Sequence, residues 1–130
     1  MSTLSLMIGI VVIAIITAVV ESYFDASKNE PIDHILSAIV RVLGVVLIVY
    51  FIPFGIPVKM LFAGVVLSVY WIVFDISYNL FKGNEWGYVG NTAWLDKFAR
   101  KHIGTGFDYL FVKVFVLALF LSGISIILKA

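Results

Sequence analysis

Four stretches of this sequence, 4–23, 31–52, 57–82 and 107–128, are each about as long as a membrane-crossing helix and carry few charges. A helix needs about 20 mostly apolar residues to span the ~30 Å hydrocarbon layer, and only helices or closed barrels satisfy their backbone groups there. The rest of the composition agrees. Of 130 residues, 62% are hydrophobic and 13% charged, whereas soluble domains run nearer half apolar and about a quarter charged. Mean hydropathy is +1.11. The expected fold is therefore an all-α integral membrane protein, a single membrane domain over 1–130, with four transmembrane helices in an antiparallel bundle.

Local signals set the boundaries. The first apolar run, Leu4–Val20, has no basic segment before it and no A-x-A site after it, so it reads as a retained helix rather than a signal peptide. Pro31 suits the first position of the second helix, and Asp33 suits its first turn. Pro53-Phe54-Gly55-Ile56-Pro57 makes a tight turn into the third. Gly83 is the expected C-cap of that third helix, and Thr105-Gly106-Phe107-Asp108 has the spacing of a capping box before the fourth. Between the third and fourth spans, 92–103 reads as a short amphipathic interfacial helix. Trp94, Leu95, Phe98 and His102 lie on one side of it, with Asp96, Lys97, Arg100 and Lys101 on the other.

Charge sets the expected orientation. Loops one and three hold five basic residues (Lys28, Lys82, Lys97, Arg100, Lys101), against two on the opposite side (Lys59, Lys129). Positive-inside then places loops one and three in the cytoplasm and both termini outside, in an inner or plasma membrane. A net charge of +1 gives no electrostatic case for nucleic acid. With no cysteine, disulfides, thiol nucleophiles and thiolate metal sites are excluded.

The polar residues within the spans gather toward the face that carries loops one and three. Glu21 and Asp25 close span one, His34 and Arg41 open span two, Asp75 and Asn79 end span three, and Asp108 and Lys113 begin span four. They also share helix faces: Thr17-Glu21-Asp25, His34-Ser37-Arg41, and Trp71-Asp75-Tyr78-Asn79-Lys82. Polar stripes in lipid turn toward neighbouring helices or a wet cavity, so the expected arrangement is one polar chamber open to the cytoplasm.

Plain readings stand beside the functional ones. Lys113 can snorkel to the headgroups. His34 reads as a hydrogen-bonded structural histidine, and Glu21 and Asp25 as solvated helix-end acids. Arg41 lies ~12 Å beyond Asp33 at ~1.5 Å per residue and can snorkel in part. Asp75 is too short to do so. Its Cβ leans deeper into the membrane, so it needs a cationic or hydrogen-bonding partner unless protonated. Arg41 is its first expected partner, ahead of His34 and Lys113. The loop Gly83–Asn91 lacks the spacing of a phosphate loop and reads as an interfacial loop near the chamber.

Three function classes follow. The first is an assembly or accessory subunit whose polar cluster, centred on Asp75 and Arg41 with Asn79, His34, Glu21, Asp25 and Lys113, fixes helix packing. Gly9, Gly44, Gly64 and Gly123 would then permit close approach of helices, within a homo-oligomer or against a membrane partner protein. The second is binding or translocation of an ion, proton or lipid headgroup through an oligomer. The third is a membrane-embedded enzyme, with Glu21, Asp25, His34 and Asp75 as ligands for a divalent metal cofactor or as acid and base. No hydrolase or zincin motif accompanies those residues, so the enzyme reading is the weakest.

Overall fold

The computed structural model describes residues 2–28, 34–85, 94–104 and 106–129, without the side chains of 34, 35, 94–96, 99 and 107. Every regular element among them is an α-helix: α1 (Thr3–Ser27), α2 (His34–Tyr50), α3 (Ile56–Phe81), α4 (Trp94–His102) and α5 (Phe107–Lys129). Three of these, α1, α3 and α5, are long and apolar enough to cross a membrane. Large apolar side chains also point outward from the long helices, as with Ile13, Leu43 and Ile126, where a soluble protein would present polar groups. This is a membrane protein.

The apolar part of α2, Leu36–Tyr50, is shorter. The helix has 17 residues, and at ~1.5 Å each it reaches about 25 Å, short of the ~30 Å core. The chain breaks after Tyr50 because Phe51–Gly55 turns back on itself, with Ile52 buried under the turn. The ammonium of Lys59 donates to the Tyr50 carbonyl and sits 4.9 Å from the Tyr50 ring centre. It thereby serves a carbonyl that α2 leaves unpaired at its C-terminus. The expected start of this span at Pro31 and Asp33 lies outside the described residues, as do Thr105 of the capping-box motif and most of the Gly83–Asn91 loop.

Helix α3 is the centre of the molecule. It packs on α1, α2 and α5, and 33% of its most apolar stretch is buried, against 11% for α1 and for α5. Contacts along its length fix the directions of its neighbours. Leu61 meets Gly123, Gly64 meets Phe120, and Trp71 meets Tyr109, so α5 runs antiparallel to α3. On the other side Ala18 packs with Tyr70 and Phe74, and Tyr23 meets Phe81 further on, so α1 runs parallel to it. The absence of side-chain bulk sets the α3–α5 spacing, since a Cβ on Gly64 would lie 2.5 Å from the Phe120 ring. A Cβ on Gly123 would lie 3.2 Å from Leu61, a tight contact of lesser degree, whereas Gly9 and Gly44 face open space. Two of the four glycines expected to bring helices together therefore do so within the chain.

The core at one end of the bundle is apolar, built from Ala14, Val49, Ile52, Phe62, Val65 and Ile124 among others, with Lys59 and Lys129 at its edge. The other end holds the charged clusters. Helix α1 continues past its apolar run, through Glu21 and Asp25 to Ser27, because those acids find partners on its neighbours. Ala18 and Ser22 are fully buried, and their small size lets α1 lie close to α3 at that level. Helix α3 ends at a glycine in the left-handed region, Gly83 at φ 77°. The Asn84 amide donates to the Asn79 carbonyl at 2.8 Å and the Gly83 amide to the Leu80 carbonyl at 3.1 Å. Those two bonds make a Schellman closure, at the glycine that the sequence marks as the end of this helix.

Candidate functional site

The charged end is built on two adjacent stripes of α3. Tyr70, Phe74 and Tyr78 are four residues apart and form one face. Trp71 and Asp75, each one residue further on, lie about 100° around the helix from Tyr70 and Phe74. Each stripe receives one cation from a different neighbouring helix, half-buried in the first case and buried in the second.

Arg41 of α2 comes to the first stripe. Its Nε donates to Oε2 of Glu21 at 3.1 Å, and its Nη2 lies 3.8 Å from Oδ2 of Asp25. The guanidinium also rests over two aromatic faces, 4.8 Å from the Tyr70 centroid and 4.7 Å from that of Phe74. A planar, weakly hydrated guanidinium can pair through its edge and stack through its face at once, which an ammonium cannot. The Tyr70 hydroxyl donates to the same Glu21 oxygen, so α1, α2 and α3 meet at one carboxylate. Asp25 is shared with exposed Lys28 at 3.5 Å. Two acids and two bases leave this cluster neutral.

Lys113 of α5 comes to the second stripe. It is 3% exposed and pairs with Asp75. Its ammonium lies 3.9 Å from the Tyr109 centroid and 4.7 Å from that of Trp71. The expectation that Lys113 snorkels to the headgroups is corrected here. One carboxylate and two aromatic faces take the place of water, so the side chain has no need to leave the bundle. The expected partnership of Asp75 with Arg41 is corrected as well. Arg41 faces α1 across the Tyr70 stripe, while Asp75 faces α5. Among the described residues no ion pair joins the two clusters.

Of the other expected site residues, Asn79 is buried one turn beyond Asp75, and its carbonyl takes part in the helix closure. His34 begins α2, and its side chain lies outside the described residues. Of the expected metal ligands, the three whose side chains are described, Glu21, Asp25 and Asp75, are drawn to different cations. Among the described residues no three of His, Cys, Asp and Glu lie close enough to hold an ion, because Glu21 and Asp25 turn to Arg41 and Asp75 turns to Lys113. No described side-chain polar atom is buried without a hydrogen-bond partner.

Sequence reasoning missed Tyr70, Phe74 and Tyr109, all of which touch a cation. Two signals were present. Tyr70, Phe74 and Tyr78 recur at the helical repeat, and the rings stack along the helix at 5.8 and 5.9 Å with interplanar angles of 17° and 14°. Tyr109 stands four residues before Lys113, the spacing at which a helical side chain lies over its predecessor. A scan against protein-family models found no match to this chain, and neither curated proteins nor solved structures showed a similar one.

Proposed function

We propose that this protein is an assembly or accessory subunit of a membrane complex, four-spanning and antiparallel, in which the two charged clusters fasten the helices instead of serving a ligand. The observation that carries this reading is charge matching between helices. Arg41 meets Glu21 and Asp25, Lys113 meets Asp75, and with Lys28 on Asp25 each cluster sums to zero. A binding or conducting site for an ion has to leave some charge or polar group for its guest, and these groups are already engaged with one another. Fastening by ion pairs also suits a medium in which apolar helices gain little from meeting one another instead of lipid. The outward apolar faces of α1, α2 and α5, with Gly9 and Gly44 open on two of them, supply surface for a second copy or a partner helix.

In this reading α2 crosses the membrane despite its length, assisted by local thinning or by chain on its N-terminal side. The end bearing Lys28 and Lys82 faces the cytoplasm. Since the native chain has no cysteine, single replacements report cleanly. Lys28→Cys and Lys82→Cys should react with an impermeant maleimide from the cytoplasmic side, and Lys59→Cys only from the opposite side. Labelling of positions 28 and 59 from the same side would remove α2 as a span. The assembly itself is tested by native mass spectrometry from a gentle detergent. A complex with a second copy or a stoichiometric partner is expected, and a strictly monomeric particle without partners would overturn the reading.

A further inference from the structure

The chain between α3 and α5 carries a second concentration of charge that the two clusters do not use. Helix α4 has nine residues and the strongest separation of polar and apolar faces of any helix here. Its Lys97, Arg100 and Lys101 side chains are exposed. At about 100° per residue these three fall within an arc of about 100°. Phe98 and His102 lie beside that arc, also exposed, with their rings 4.7 Å apart. Three cations against Asp96 give the helix an excess of two positive charges, with His102 counted neutral.

Placement adds the second observation. Ile103, immediately after α4, packs with Tyr109, and Trp71 completes that contact. Gly104 at φ 106° then turns the chain into α5, and a Cβ there would lie 3.2 Å from the Asp108 carboxylate. The basic arc is thus tied, through Ile103, to Tyr109 in the first turn of α5 and to Trp71 of α3. A short helix held there, with a cationic arc beside exposed aromatic rings, matches an anionic membrane surface in both charge and polarity.

We propose that α4 is a docking strip for anionic phospholipid headgroups, bound by Lys97, Arg100 and Lys101 with Phe98 set among the acyl chains. The proposal rests on the membrane-spanning reading above, with α4 at the cytoplasmic surface, but not on the assembly role. Each basic residue near an anionic surface strengthens attachment by about 1 kcal/mol, or roughly fivefold. The sum over three residues falls as salt is added, because exposed charges are screened.

The test uses the full chain in nanodiscs of equal phosphatidylglycerol and phosphatidylcholine, with the lipids retained after gentle extraction counted by native mass spectrometry. Phosphatidylglycerol should be retained preferentially. In Lys97→Gln/Arg100→Gln/Lys101→Gln that preference should fall by at least about tenfold. Lys28→Gln/Lys82→Gln, which removes two basic residues at the same face but outside α4, should lower it clearly less, and the charge-keeping Arg100→Lys should leave it at the wild-type level. Added inorganic phosphate at constant ionic strength should not displace the lipid. No preference in the wild type, an undiminished preference in the triple variant, an equal loss in the Lys28/Lys82 variant, or displacement by phosphate would each overturn the proposal. The cysteine-labelling pattern, read on the same samples, separates such a result from a failure of the spanning topology.

Discussion

Replacing Asp75 with Asn will be among the most damaging single changes in this protein, lowering its stability in detergent by about 3–5 kcal/mol. The cause is the partner left behind. Lys113 is 3% exposed, and without the carboxylate its ammonium is left against the faces of Trp71 and Tyr109 with no opposite charge from Asp75. Cation–π contacts supply about 0.5–2 kcal/mol, less than the effective penalty of several kcal/mol for an uncompensated buried charge. Thermal unfolding followed by circular dichroism should show a midpoint lower by on the order of 10 °C. The double change Asp75→Asn/Lys113→Met should recover most of that loss, since an apolar chain of similar length removes the stranded charge. Replacing a buried pair with well-packed apolar groups is often neutral or stabilising. If Asp75→Asn alone leaves the midpoint unchanged, the pair does not hold α3 to α5.

Arg41→Met should cost less, about 2–3 kcal/mol, because the acids it abandons are less buried than Lys113. The Glu21 side chain is 41% exposed and can recover some water, while Asp25 at 14% keeps Lys28 alone. The change also uncovers the faces of Tyr70 and Phe74. Arg41→Lys should fall between wild type and Arg41→Met. An ammonium retains the charge but cannot stack on two rings and address two carboxylates together. The same unfolding measurement checks both variants, and equal midpoints for Arg41→Lys and wild type would show that the stacking contributes nothing.

These expectations differ from those of the sequence in an instructive way. Long apolar runs, the closing glycine at position 83 and the gathering of charge toward one end were all legible, since each follows from composition or local geometry. Pairing was not. With Glu21, Asp25 and Asp75 at a similar depth to Arg41 and Lys113, and Lys28 close by, several matchings give every charge a partner. The choice depends on how α3 is rotated about its axis. A rotation of about 100° exchanges the Tyr70–Phe74 stripe for the Trp71–Asp75 stripe, and side-chain packing between helices fixes it. Gly64 under the Phe120 ring and Ala18 and Ser22 against α3 are part of that packing. Tyr70, Phe74 and Tyr109 escaped notice for a related reason. Aromatic residues are ordinary in membrane helices, and only a cation lying over the ring marks them as partners.

The separation of charge into two clusters also changes what the polar end can be. One open chamber would have set Asp75, Arg41, Glu21 and His34 around a shared space, the arrangement expected of a binding or conducting site. Instead, α3 carries a cluster on each of two faces. The first ties it to α1 and α2 through Arg41, and the second ties it to α5 through Lys113. Each neighbouring helix is held at this level by charge and further along by apolar packing. That division of labour gives the assembly reading its physical basis.

The most direct test is a pair of double-mutant cycles sharing Asp75→Asn, measured by unfolding under one detergent condition. The cycle with Lys113→Met should give a coupling of about 1.5 kcal/mol or more, and the cycle with Arg41→Met should be additive within about 0.5 kcal/mol. Strong coupling of Asp75 to Arg41, with little to Lys113, would contradict the account and return both charges to a single shared site.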